Sequence, residues 1–182
     1  MPQSRSSSRP SRRRTTNGDW STAQSAELYG IEQWGRGYFS INKQGEATVR
    51  LKGRKGPREV SLYEIIRGLG DRGTDLPVLL RFRDLLHSRI AELNETFAQS
   101  MKDLGYKGRY RGVYPIKVNQ QRQVIEEIAE FGRRFHYGLE AGSKPELIAA
   151  LAYLHDPEAY LICNGYKDAE FIDLALSSLK MG

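Results

Sequence analysis

A chain of 182 residues with 39% hydrophobic and 10% aromatic side chains holds enough apolar material for a core, which excludes a wholly disordered polymer. No apolar run approaches the roughly 20 residues that cross a bilayer, and no apolar signal core follows Met1, so the expectation is a soluble, cytoplasmic protein with no membrane partner. The net charge of +6 resides in the tail: residues 1–18 carry Arg5, Arg9, Arg12, Arg13 and Arg14 and no acid, which leaves 23 basic against 22 acidic residues in the rest.

That balance makes nucleic acid an unexpected partner for the globular part. The single cysteine, Cys163, excludes an internal disulfide framework. Three scattered histidines, His87, His136 and His155, do not make a zinc site without further thiols.

Residues 1–19 are Arg- and Ser-rich with nothing apolar after Met1, and are expected to be a disordered tail. Residues 20–83 read as an N-terminal segment with a small helix and a β-hairpin. The hairpin falls over residues 38–51, where short apolar runs flank the turn formers Asn42 and Gly45. A basic loop, LKGRKGPRE, follows. Leu62, Ile65, Ile66 and Leu69 then recur at helical spacing.

The helix ends at GLGDRG, residues 68–73, a literal match to the dinucleotide fingerprint. That fingerprint requires a strand before it and a helix after it. Here a helix precedes Gly68 and the strand-like LPVLLRF (76–82) follows Gly73, so the glycines read as helix termination and loop.

Residues 84–182 form the second region. A long amphipathic helix is expected from Asp84 to about Leu104. Three strand-like runs follow, YRGVYPIKVN, FHYGLEA and AYLICNG, each leading into an amphipathic helical run at intervals of about 24 residues. This rhythm is that of parallel βα units.

The segment PIKVN (115–119) carries the most chemistry. Strand alternation places Tyr114, Ile116 and Val118 on one face and Pro115, Lys117 and Asn119 on the other. In a βα barrel Lys117 would then point inward near the C-terminal end of its strand, where such folds place their active sites. Desolvation there would lower its pKa from about 10.4 and free a nucleophilic amine. The structural alternative is a strand-end lysine that reaches water or bridges a carboxylate.

Glu140, at the end of the second strand, either shares a cavity with Lys117 or is a surface-loop carboxylate. Ser143 and Glu146 have the spacing of a capping box. Cys163 reads as a small core hydrophobe.

The stretches WGRGYFSIN (34–42), RGVYPIKVNQQRQVIEEI (111–128), GLEAGSKPEL (138–147) and CNGYKDAEFIDLAL (163–176) resemble the N-terminal part of the biosynthetic arginine decarboxylases, from about Tyr29 to Gly182. The resemblance implies an α/β fold: an incomplete pyridoxal-phosphate-binding (β/α)8 (TIM) barrel of about three βα units, preceded by the helix and hairpin segment. It implies that Lys117 holds pyridoxal 5'-phosphate as a Schiff base; Glu140, from its place at the strand end, is a further cofactor-binding candidate. It further implies L-arginine as substrate, agmatine and carbon dioxide as products feeding polyamine synthesis, magnesium at a site not placed in this sequence, and a homo-oligomer at full length. The same fold also serves decarboxylases of ornithine, lysine or diaminopimelate, and a non-catalytic fragment is a reading of another class. The phosphate loop and substrate-selecting residues of the family are expected beyond Gly182, so that the 182 residues alone are expected to be inactive.

Overall fold

The structure, a computed structural model, describes residues 20–52 and 56–181. The tail expected over residues 1–19 lies outside them. The chain divides into two compact units, one within Met1–Arg50 and Lys55–Leu76, the other within Leu51–Arg54 and Pro77–Gly182.

In the first unit, α1 (Thr22–Leu28) starts at a reciprocal cap: Ser21 Oγ accepts the Gln24 N–H and Gln24 Oε1 accepts the Ser21 N–H. A short helix α2 (Ile31–Gly35) follows Gly30, whose φ of +61° is left-handed. The hairpin then forms as expected, β1 (Phe39–Ile41) antiparallel to β2 (Ala47–Leu51) with Ser40 opposite Thr48. Asn42 builds its turn, its Oδ1 accepting the N–H groups of Gln44 and Glu46 at 3.0 and 2.9 Å, and Gly45 takes φ +84°.

A third strand, β3 (Arg58–Ser61), joins β2, where the sequence pattern suggests only a basic loop. Its specification is a cross-strand polar contact rather than an apolar pattern. Glu59 Oε1 accepts hydrogen bonds from the buried hydroxyls of Ser40 and Thr48, and these, Thr48 first, hold its carboxyl below the usual range.

Helix α3 (Leu62–Gly70) is capped by Ser61, whose Oγ accepts the Glu64 N–H, and it ends within the glycine run. That run is therefore a helix end followed by a turn. LPVLLRF is not a strand: residues 77–82 have no regular structure, and Leu76 and Leu79 are exposed. A ladder needs a paired neighbour, and Pro77 also removes one donor.

The second unit begins with α4 (Arg83–Asp103), followed by β4 (Val113–Pro115), α5 (Arg122–Gly132), β5 (Gly138–Ala141), α6 (Lys144–Tyr153), β6 (Leu161–Cys163) and α7 (Ala169–Met181). The strands are parallel in the order β4-β5-β6, with Tyr114, Leu139 and Leu161 in one row and Pro115, Glu140 and Ile162 in the next.

Alternation turns the first row toward the helices. Leu139 packs with Ile90 of α4, Ile125 and Ile128 of α5 and Ala150 of α6, and partly buried Tyr114 and Leu161 join them. Ala141, Leu147 and Phe171 form a second cluster that Cys163 joins, as a small apolar side chain would. The row of Pro115, Glu140 and Ile162 occupies the other face.

One expectation fails at PIKVN. The strand ends at Pro115, and Ile116–Val118 form a single 3-10 turn closed by the Asn119 N–H on Ile116 O at 3.1 Å. Pro115 is the last residue of β4 paired with β5, so nothing holds the chain extended beyond it. Ile116 is buried in the helix-side core, whereas Val118 is 69% exposed and does not share a buried face with Tyr114 and Ile116.

Candidate functional site

The chemistry-bearing residues collect where the three parallel strands end, which is where parallel α/β sheets present their sites. Lys117 sits two residues past the end of β4, in the 3-10 turn, and β5 packs against that turn. Its side chain is exposed rather than desolvated. The strand geometry that would have buried it stops at Pro115.

Three lysines lie near these strand ends, and their partners distinguish them. Lys144 Nζ donates to Asp168 Oδ2 at 2.8 Å and to Glu170 Oε2. Lys167 Nζ donates to Gly165 O at 2.8 Å. Lys117 makes no hydrogen bond or ion pair among the described residues. The Asp168 hydrogen bond, with that of Glu170, holds the Lys144 ammonium above the usual lysine range. Asp168 is in turn held low by Lys144 and by the Phe171 N–H at its other oxygen. Of these three lysines, Lys117 is thus the one without a partner among the described residues.

Glu140 is 6% exposed on the face away from the helices, and its Oε1 is sealed from solvent with no hydrogen-bond donor. A buried, unpaired carboxylate oxygen is costly, and such an atom points to a ligand or to an unmet partner. The surface-loop reading of Glu140 is therefore incorrect as to burial: it lies between Pro115 and Ile162 in the sheet.

The spacing of Ser143 and Glu146 predicts a capping box, and half of one forms. Ser143 Oγ accepts the Glu146 N–H, at 3.4 Å. The Glu146 carboxylate, however, accepts the Gly142 N–H at 2.8 Å and Gln120 Nε2 at 3.0 Å. Nothing in the sequence marks Gln120 as its partner.

The strand ends approach one another closely: Asn164 N–H donates to Ala141 O at 2.8 Å, and a Cβ at Gly165 would lie 2.5 Å from Gly142 O. Glycine is required at that approach. Among the described residues no group of three or more His, Cys, Asp or Glu is placed to hold a metal ion. A cleft of about 910 Å³ lies elsewhere, between the start of α4, α5 and the end of α6. Neither Lys117 nor Glu140 lines it, so its size is no guide to the chemistry.

Both the sequence and the fold have known relatives. The family model described as pyridoxal-dependent decarboxylase, pyridoxal binding domain, matches residues 89–181. The biosynthetic arginine decarboxylase of Gloeobacter violaceus is 51% identical over 164 residues, 90% of this chain and 25% of that protein. That of Thermosynechococcus vestitus is 48% identical over 168 residues, 92% of this chain and 26% of that protein. The crystal structure of the biosynthetic arginine decarboxylase SpeA from Campylobacter jejuni superposes with a TM-score of 0.76 at 37% identity, over 85% of this chain and 25% of that one. The chain therefore spans about a quarter of the length of the relatives it matches. No described helix is long and apolar enough to cross a membrane. With the family match covering all three parallel βα units and the turn that carries the free lysine, the chain belongs to the pyridoxal-dependent decarboxylases, in their pyridoxal-binding domain.

Proposed function

We propose that the chain supplies the opening part of the barrel of an arginine decarboxylase, with Lys117 as the residue that holds pyridoxal phosphate. The observation that carries the reading is the lysine census at the strand ends. Lys144 and Lys167 are engaged, and Lys117 has no partner among the described residues.

The residues present fit the group. An aldehyde cofactor needs an amine that is not tied into an ion pair, and Lys117 meets that condition. Glu140 Oε1 is an acceptor without a donor, suited to a protonated nitrogen that arrives with the cofactor or with the lysine. When bound, pyridoxal phosphate provides an electron sink that lets the bond between substrate Cα and its carboxylate break.

Lys117 would hold the cofactor through its amine, and when not so engaged would be able to carry a proton at Nζ. Glu140 presents its carboxyl group on the sheet face away from the helices, and a carboxylate there favours the protonated form of a nitrogen beside it. The core beneath, Leu139, Ile116 and Ile125, is almost fully buried and keeps the strand ends rigid.

The relatives, named as biosynthetic arginine decarboxylases, support L-arginine as the substrate. L-arginine would lose its carboxylate as carbon dioxide, and protonation at Cα would leave agmatine, an amine of use for polyamine synthesis. Magnesium has no residues assigned in this reading.

The test is carbon dioxide release from arginine, ornithine and lysine by the polypeptide that carries this chain, with and without Lys117→Ala. Arginine should be turned over fastest, and Lys117→Ala should abolish turnover. Faster release from ornithine or lysine would refute the substrate, and activity without Lys117 would refute the residue.

A further inference from the structure

We propose that Glu146 is a positioning residue that acts on Lys117 through Gln120, by tying the loop after the Lys117 turn to the end of β5 that carries Glu140. The inference rests on the reading of Lys117 as the cofactor lysine.

Glu146 stands in the first turn of α6, where Ser143 already accepts its N–H. A capping box would return its carboxylate to the Ser143 N–H. Instead each carboxylate oxygen is engaged elsewhere. Oε2 accepts the Gly142 N–H at 2.8 Å, and Oε1 accepts Gln120 Nε2 at 3.0 Å, from 26 residues away in sequence.

Gly142 lies between two carboxylates. A Cβ there would be 3.5 Å from Glu146 Oε2 and 3.8 Å from Glu140 Oε1. One of these carboxylates has both oxygens hydrogen-bonded and the other has an oxygen without a donor. Glu146 therefore fixes the backbone two residues beyond Glu140 and, through Gln120, the backbone three residues beyond Lys117.

The Lys117 turn is anchored on its inner side, where Ile116 is buried in the core and Asn119 Oδ1 accepts the Gln121 N–H at 3.0 Å, and its outer side has fewer restraints. One backbone hydrogen bond closes it, and the Tyr114 hydroxyl reaches Asn119 O at a long 3.4 Å. Lys117 and Val118 are exposed. A charge-assisted bond from Gln120 is thus a further restraint, on the exposed side of the turn, on where the amine sits relative to Glu140.

Three variants test it: Gln120→Glu, which sets two carboxylates against each other; Glu146→Gln; and the two together. In the double variant the amide at position 146 can accept the Gly142 N–H through its oxygen and donate to the carboxylate at position 120. Gln120 is exposed and outside the helices, so its replacement leaves the core intact.

Two readouts are taken on the chain. One is the rate at which pyridoxal phosphate and borohydride label Lys117 relative to Lys144, by peptide mapping. The other is amide hydrogen exchange over residues 116–121. Gln120→Glu should slow Lys117 labelling by up to about fivefold, the scale of one exposed charged contact, and speed exchange over 116–121, whereas Glu146→Gln, in which the Gln120 amide can turn to accept from position 146, should change both less. The double variant should recover both. Labelling and exchange like the parent's in Gln120→Glu, or no recovery in the double variant, would overturn the proposal. If the parent is not labelled on Lys117 at all, the cofactor reading fails, and the exchange data still decide whether Glu146 braces the turn.

Discussion

Replacing Glu140 by Met should stabilise the cofactor-free protein while weakening its hold on pyridoxal phosphate. Glu140 is 6% exposed, its Oε1 has no donor, and its row neighbours in the sheet are Pro115 and Ile162. An unsatisfied buried polar group costs about 1–3 kcal/mol. A methionine of similar volume between apolar neighbours opens little cavity. The net gain for Glu140→Met is therefore about 1–3 kcal/mol. At roughly 2–4 °C per kcal/mol for a chain of this size, the thermal midpoint should rise by about 2–12 °C.

Urea titration without cofactor measures the same gain as a higher midpoint at unchanged slope. In parallel, labelling of Lys117 by pyridoxal phosphate should fall, because the carboxylate that favours a protonated nitrogen is gone. A lower midpoint for Glu140→Met would show that Oε1 is satisfied in solution and that the carboxylate is a structural group.

Gly138→Ala should destabilise the sheet by at least about 1–3 kcal/mol, since its Cβ would lie 2.0 Å from Tyr160 O, the acceptor of the Leu139 N–H; an unchanged urea midpoint would refute the close approach of β5 and β6. Phe171→Ala, at a residue 1% exposed against Ala141 and Leu147, should cost about 3–5 kcal/mol, measured by the same titration. The Lys144–Asp168 pair sets a pH window. Asp168, held low by Lys144, contributes stability above about pH 3.9 and loses it as pH falls through its lower folded value; Lys144, held high by Asp168, contributes below about pH 10.4 and loses it as pH rises through its higher folded value. Lys144→Met should therefore narrow the difference in midpoint between neutral pH and either extreme, by a small amount because both side chains are partly open to solvent; parallel curves for the two proteins would contradict this.

The parallel βα rhythm is legible in the sequence because its strands are apolar and its helices amphipathic, with Leu139, Ala141 and Leu147 all fully buried where the pattern places them. The hairpin is legible through Asn42 and Gly45, whose turn chemistry is local. Strand β3 is not, because Glu59 is specified by Ser40 and Thr48 across the sheet, and a polar strand has no apolar alternation to read. LPVLLRF misleads for the converse reason: it has the apolar content of a strand, and a strand exists only where a neighbour pairs with it. Lys117 stands out from its motif, but the end of β4 at Pro115 depends on where β5 stops pairing. The burial of Glu140 without a donor for Oε1, and the carboxylate bridge from Glu146 to Gln120, are tertiary facts that no local spacing announces.

The assignment of Lys117 is tested most directly by incubating the chain with pyridoxal phosphate, reducing with borohydride and mapping the labelled peptides. The pyridoxyl group should appear first on the peptide containing Lys117, the strand-end lysine without a partner among the described residues. Prior labelling of Lys144 or Lys167, whose amines are already engaged, or labelling unchanged by Lys117→Ala, would contradict it.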